Sequence, residues 1–144
     1  AFAHLCPYPP AQDRRRLNMR ILHVLDHSIP LHSGYTFRTA ALLREQRARG
    51  WQTFHLTSPK QGAVDASEET VDGLHFFRTP AQPSASKLPV VGELQLMSAL
   101  TNRLQTVVDQ VRPDIIHAHS PVLNARAAPY AISLGRRLSE AAKK

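Results

Sequence analysis

The segment Met19 to Thr39, MRILHVLDHSIPLHSGYTFRT, constrains the fold more than any other part of the chain. Ile21 to Leu25 is a short run of branched apolar residues, the pattern of a strand buried on both faces of a parallel sheet. A polar turn of about nine residues follows, beyond the two to six usual for such connections, and then a helix begins near Ser33-Gly34. A strand running through a turn into a helix is half of a βαβ unit, so the expected class is α/β: a Rossmann-like, mostly parallel sheet flanked by helices. Gly34 falls beside the first free backbone N–H groups of that helix. It serves either as a plain turn glycine or as a place where the missing Cβ lets a phosphate-bearing ligand approach.

A second strand pattern, Pro113-Asp114-Ile115-Ile116-His117-Ala118-His119-Ser120-Pro121, follows a long amphipathic helix. Side chains alternate along a strand, so His117 and His119 share a face, with His119 nearest the carboxyl end. A parallel order 3-2-1-4 sets this strand beside the first, and ligands of open α/β sheets bind outside such carboxyl ends. Gly34 and His119 are then expected on one crevice. His119 is either a hydrogen-bonded core histidine or a polar group of that crevice, while His117 reads as structural. A His-x-His pair with His23 on the neighbouring strand also suits a metal, but no carboxylate or cysteine cluster completes a site, and none is expected.

Between these segments the coarse order is strand 20–25, helix 35–49, strand 51–56 and a polar loop holding Gly62 and Glu68-Glu69. A hairpin follows over 69–78 around Asp72-Gly73, and a loop over 79–92. The amphipathic helix carries Met97, Leu100, Leu104, Val107 or Val108, and Val111 at three- and four-residue steps, ending at Arg112-Pro113. Helix 35–49 is less regular, with Phe37, Ala40, Ala41, Leu43 and Ala48 as its apolar members and Gly50 as its stop.

The 144 residues suit one domain, and no apolar run approaches the roughly 18 needed to span a membrane. Residues 1–18 lack the apolar core of a signal peptide and read as a disordered leader or an upstream extension, with Met19 as the natural start. Cys6 is the single cysteine, which excludes a disulfide framework. The net charge of +7 is spread over Arg14–Arg16, the helix arginines Arg38, Arg44, Arg47 and Arg49, and a basic tail. That distribution describes solvated faces, then an attraction to anionic lipid; nucleic acid is not an expected partner. The chain lacks a Ser-His-Asp order, paired catalytic carboxylates and a Gly-Lys-Ser phosphate loop.

The strand and turn around Gly34, the helix ending at Gly50-Trp51, Val71-Asp72-Gly73-Leu74 followed by Arg78, and the Pro-Asp-Ile-Ile-His-Ala-His-Ser strand resemble one family. It is the amino-terminal domain of family 4 glycosyltransferases of the GT-B fold, and the resemblance runs from Met19 to about Gly135. LDHSIPLHSGYTFRT and HAHSPVLNA are similar to the subgroup associated with exosortase systems and exopolysaccharide assembly. The resemblance implies a retaining transfer from a nucleotide-sugar donor to a glycan or lipid-linked acceptor, with no further cofactor. It makes His119 the catalytic candidate through contact with the transferred sugar, and sets Ser33 and Gly34 against the donor diphosphate. His27, His32, Tyr35 and Arg38 become candidates for substrate binding.

Family members are more than twice this length and carry a Glu-x7-Glu motif in a second, donor-binding domain; this chain has no such motif. It therefore reads as a truncated amino-terminal domain over 19–135 with a non-native basic tail over 136–144, inactive alone. The expected localisation is cytoplasmic, extending to peripheral contact with the inner membrane face. The alternatives are a non-catalytic remnant or interaction module, and a small nucleotide-binding regulator.

Overall fold

The computed structural model describes residues 18–80 and 89–120. All but Asn18 of the expected leader over 1–18, most of the 79–92 loop and the basic tail lie outside them. Among the described residues five strands form one sheet: β1 (Arg20–Leu25), β2 (Gln52–Thr57), β3 (Glu68–Val71), β4 (Leu74–Arg78) and β5 (Ile115–Ala118), in the order β3-β4-β2-β1-β5. β1 pairs in parallel with both β2 and β5, and β4 in parallel with β2, so the parallel strands follow the expected 3-2-1-4 order. β3 turns back antiparallel to β4. Their hairpin is closed by Asp72 and Gly73, both at positive φ (50° and 73°), as a tight I′ turn requires. β3 also absorbs Glu68, which the sequence pattern leaves in a loop.

Two helices cover opposite faces. Helix α2 (Pro89–Val111) packs Leu100, Leu104, Val107, Val108 and Val111 against Leu22, Val24, Leu56 and Phe77. It starts earlier than the pattern suggests, since a proline at the first helical position gives up an N–H that would have no intrahelical partner anyway. Helix α1 (Gly34–Ala48) lies on the other face, where Leu43 joins Leu25, Ile29, Leu74 and Phe76. Its buried stripe is Thr36, Thr39, Ala40 and Leu43, at the i, i+3, i+4, i+7 spacing of a helical face. Phe37 is 57% exposed, and Ala41 and Ala48 are exposed too, so of the expected apolar members only Ala40 and Leu43 face the core.

The C-terminus of α1 closes as a Schellman motif. Gly50, at φ 82°, donates to Arg47 O (3.0 Å), and Trp51 N–H donates to Gln46 O (3.1 Å). The glycine is required here, because this left-handed position penalises a Cβ. No helix among the described residues is long and apolar enough to cross a membrane.

Candidate functional site

The site lies at the carboxyl ends of β1 and β5. Residues 26–33 leave β1 there and are held by two neighbouring segments, the 58–61 turn and the end of β4. Ser28 N–H donates to Gln61 Oε1 (2.8 Å), and Ser58 Oγ donates to Asp26 O (2.8 Å). The guanidinium of Arg78, fully buried at the end of β4, donates to Ser28 Oγ (2.6 Å) and Ile29 O (2.9 Å) and pairs with Glu69 (2.8 Å), while lying over Phe76. A buried cation so well supplied with acceptors ties the turn to the sheet.

Ser33 is the N-cap of α1. Its backbone is extended, and its Oγ accepts from Thr36 N–H (3.1 Å), lies 3.0 Å from Thr36 Oγ1 and 2.9 Å from His27 Nε2. Its hydroxyl thus orders the start of the helix. Gly34 is the first helical residue and is exposed; a Cβ built there meets no atom of the described residues within 4 Å, and its φ is not positive. Neither the backbone nor the packing demands a glycine at this position. What the missing side chain leaves open is the space beside the helix start.

Tyr35 lies between the turn and β5. Its Oη accepts from Asp26 N–H (3.2 Å), its ring is 4.8 Å from His27 and 6.3 Å from His119, and the Arg38 guanidinium is 6.0 Å from it. Burial raises the phenol above its ordinary pKa, so it stays neutral. A cavity of about 330 Å³ is lined by Arg38, Thr39, Leu42, His117, Ala118 and His119. Thr39 is 3% exposed, and its Oγ1 has no hydrogen-bond partner among the described residues.

On the α1 face the parallel register aligns a row of histidines across three strands, His117 on β5, His23 on β1 and His55 on β2, with Phe76 of β4 next. His23 is fully buried. Its Nε2 lies 2.8 Å from Gln46 Oε1 of α1, and its Nδ1 lies 2.9 Å from His119 Nε2. Gln46 Oε1 can only accept, so His23 carries its proton on Nε2. His23 Nδ1 is then an acceptor, and His119 Nε2–H donates to it. This chain fixes both tautomers and leaves a lone pair on His119 Nδ1. Burial, then the neighbouring His117, His23 and Arg38, lowers His119 to a pKa of about 3. Burial likewise lowers His23 to about 4, against the opposing pull of the Gln46 hydrogen bond. Both rings are neutral at physiological pH, which suits His119 to hydrogen bonding and removes it as an acid there.

The structure brings Ser33, His27, Tyr35, Arg38 and His119 into one neighbourhood, with Gly34 on the same helix start. His32 stands outside it, its ring tilted against the exposed Phe37 at a centroid distance of 5.4 Å. The sequence reading names neither Gln46 nor Thr39, and it gives His23 no place beyond a passing alternative. The available signal was the odd-numbered alternation of His23 with His117 across a parallel pair.

A Rossmann-like sheet with its polar groups at the carboxyl edge beside a helix start defines an α/β domain of the kind found in GT-B glycosyltransferases. The chain belongs to the glycosyl transferase 4-like domain family, whose pattern matches residues 33–139. Among solved structures it is similar to sucrose-phosphate synthase from Thermosynechococcus elongatus, with a TM-score of 0.52 at 14% identity. That superposition covers 85% of this chain and 30% of the synthase, a likeness of fold. No curated protein sequence matches the chain.

Proposed function

We propose that this chain is the acceptor-side half of a retaining glycosyltransferase, passing a sugar from a nucleotide-sugar donor to a glycan or lipid-linked acceptor in exopolysaccharide synthesis. Family membership supports the reaction class. The observation that carries the site is the meeting of His119, Tyr35 and Arg38 beside the open start of α1. A donor diphosphate suits the helix start, where unpaired N–H groups, the clear space at Gly34 and the exposed Arg38 all favour an anion. His119, neutral and oriented by His23, accepts a hydrogen bond from a sugar hydroxyl through Nδ1, and Thr39 Oγ1 offers a further partner. Catalysis rests on orienting the substrates and stabilising the departing diphosphate, with no proton taken by His119. Retention of configuration and the exopolysaccharide acceptor are carried over from the resemblance. The exposed Arg44 of α1 and Arg49 at its C-cap favour peripheral contact with an anionic membrane.

The test is a transfer assay of the purified chain with UDP-glucose, UDP-galactose and GDP-mannose, alone and joined to a donor-binding domain of a family member. The chain alone is expected to give no turnover, and the joined protein to transfer sugar. Turnover by the isolated chain would overturn the half-enzyme reading. An inactive joined protein with both halves folded would favour the non-catalytic interaction module.

A further inference from the structure

His23, His117 and His119 each place one ring nitrogen so that the three lie within 4.8 Å of one another. Two of the rings already share a proton, with His23 Nδ1 2.9 Å from His119 Nε2. In a tetrahedral site with zinc–nitrogen bonds of 2.0–2.1 Å, two ligand nitrogens stand roughly 3.3 Å apart. The pair therefore has to open by only a few tenths of an ångström to accept a metal in place of that proton. His117 is the exposed member, and its ring nitrogen already lies within 4.8 Å of the other two.

The surroundings match those of a ligand set. A metal-bound histidine is ordinarily oriented by a hydrogen bond from its other ring N–H, and Gln46 Oε1, 2.8 Å from His23 Nε2, supplies that bond. Two ligands sit two residues apart at the end of β5, and the third is fixed on the adjacent strand by the register of His23 with His117. The backbone therefore sets the spacing. The cavity that His117 and His119 line offers room for a fourth ligand, water or a substrate oxygen.

We infer that His23 Nδ1, His119 Nε2 and a ring nitrogen of His117 form a binding site for a divalent transition metal of the zinc type, with Gln46 as its orienting partner. Imidazole donors without carboxylates favour Zn²⁺, Co²⁺ and Ni²⁺ over Mg²⁺ or Ca²⁺. On binding, His119 changes tautomer: Nε2 takes the metal and the proton passes to Nδ1, so neutral imidazoles bind without net proton release.

The inference is tested on the tag-free chain itself, with no sugar or nucleotide present, so its outcome is separate from that of the transfer reading. Co²⁺ is titrated while its visible absorption is followed, and Zn²⁺ is then added against a chromophoric chelator. The expected result is one ion per chain, with Zn²⁺ displacing Co²⁺ and a Kd of about 1 μM or tighter. His117→Ala, an exposed change that leaves the fold intact by circular dichroism, should weaken binding by at least about 30-fold, and His119→Ala comparably. Gln46→Leu should weaken it by roughly 10-fold, as loss of an orienting partner does. His75→Ala, at a distant exposed histidine, should leave affinity unchanged. Failure to bind one Co²⁺ or Zn²⁺ per chain, or binding indifferent to His117→Ala, would overturn the site.

Discussion

Among single residues, Arg78 and His55 show how polar groups survive in this core. Arg78 is fully buried, yet it is met by the Ser28 hydroxyl, the Ile29 carbonyl and the Glu69 carboxylate. Arg78→Met keeps most of the apolar stem but leaves those acceptors unpaired. Its expected cost is about 2–4 kcal/mol in urea unfolding, with residues 26–33 becoming more susceptible to proteolysis than β1. His55 is 1% exposed between His75 O (2.7 Å) and Thr53 Oγ1 (2.9 Å), and burial lowers its pKa to about 4. The unfolded chain takes up this proton near pH 6.5 and the folded one only near pH 4. The stabilisation is therefore complete above pH 6.5 and is lost as pH falls through that window. Between pH 7 and pH 5, His55 alone should remove about 2 kcal/mol of unfolding free energy. His55→Phe should flatten the slope by that amount, and an unchanged slope would contradict the buried, neutral assignment.

At the scale of elements, β1, the 115–118 strand, the Asp72-Gly73 hairpin and the apolar face of α2 were legible in the sequence, because each shows an unbroken period or a turn of fixed chemistry. Leu104, fully buried at the centre of the α2 face, tests that docking: Leu104→Ala should cost about 2–5 kcal/mol without changing the fold. Helix α1 was harder to read because two of its four inward positions are threonines, Thr36 and Thr39, so its hydrophobic pattern is broken. Its cap is nonetheless local: Ser33→Ala should remove about 1 kcal/mol. The histidine row was the least legible part of the site. Register between strands far apart in the chain decides which odd-numbered residues meet, and the contact of His23 with Gln46 depends on how α1 lies across the sheet.

For the whole molecule, the topology explains why the polar groups gather at one edge. Parallel strands deliver His119, the 26–33 turn and the start of α1 to the same end of the sheet, and the α2 face stays apolar. The central claim is that this edge contacts the transferring sugar and the donor diphosphate. Its most direct measurement is kcat/KM for His119→Ala and Gly34→Val in the chain joined to a donor-binding domain, with folding checked by circular dichroism. Both variants should fold, since the space around Gly34 is open and its φ is ordinary. Removing the imidazole should cost ~2–4 kcal/mol in the transition state, roughly 30- to 1000-fold in kcat/KM, and valine at Gly34 should impair turnover by crowding the diphosphate. Wild-type kcat/KM in a folded His119→Ala protein would contradict the account and leave His119 as a core histidine.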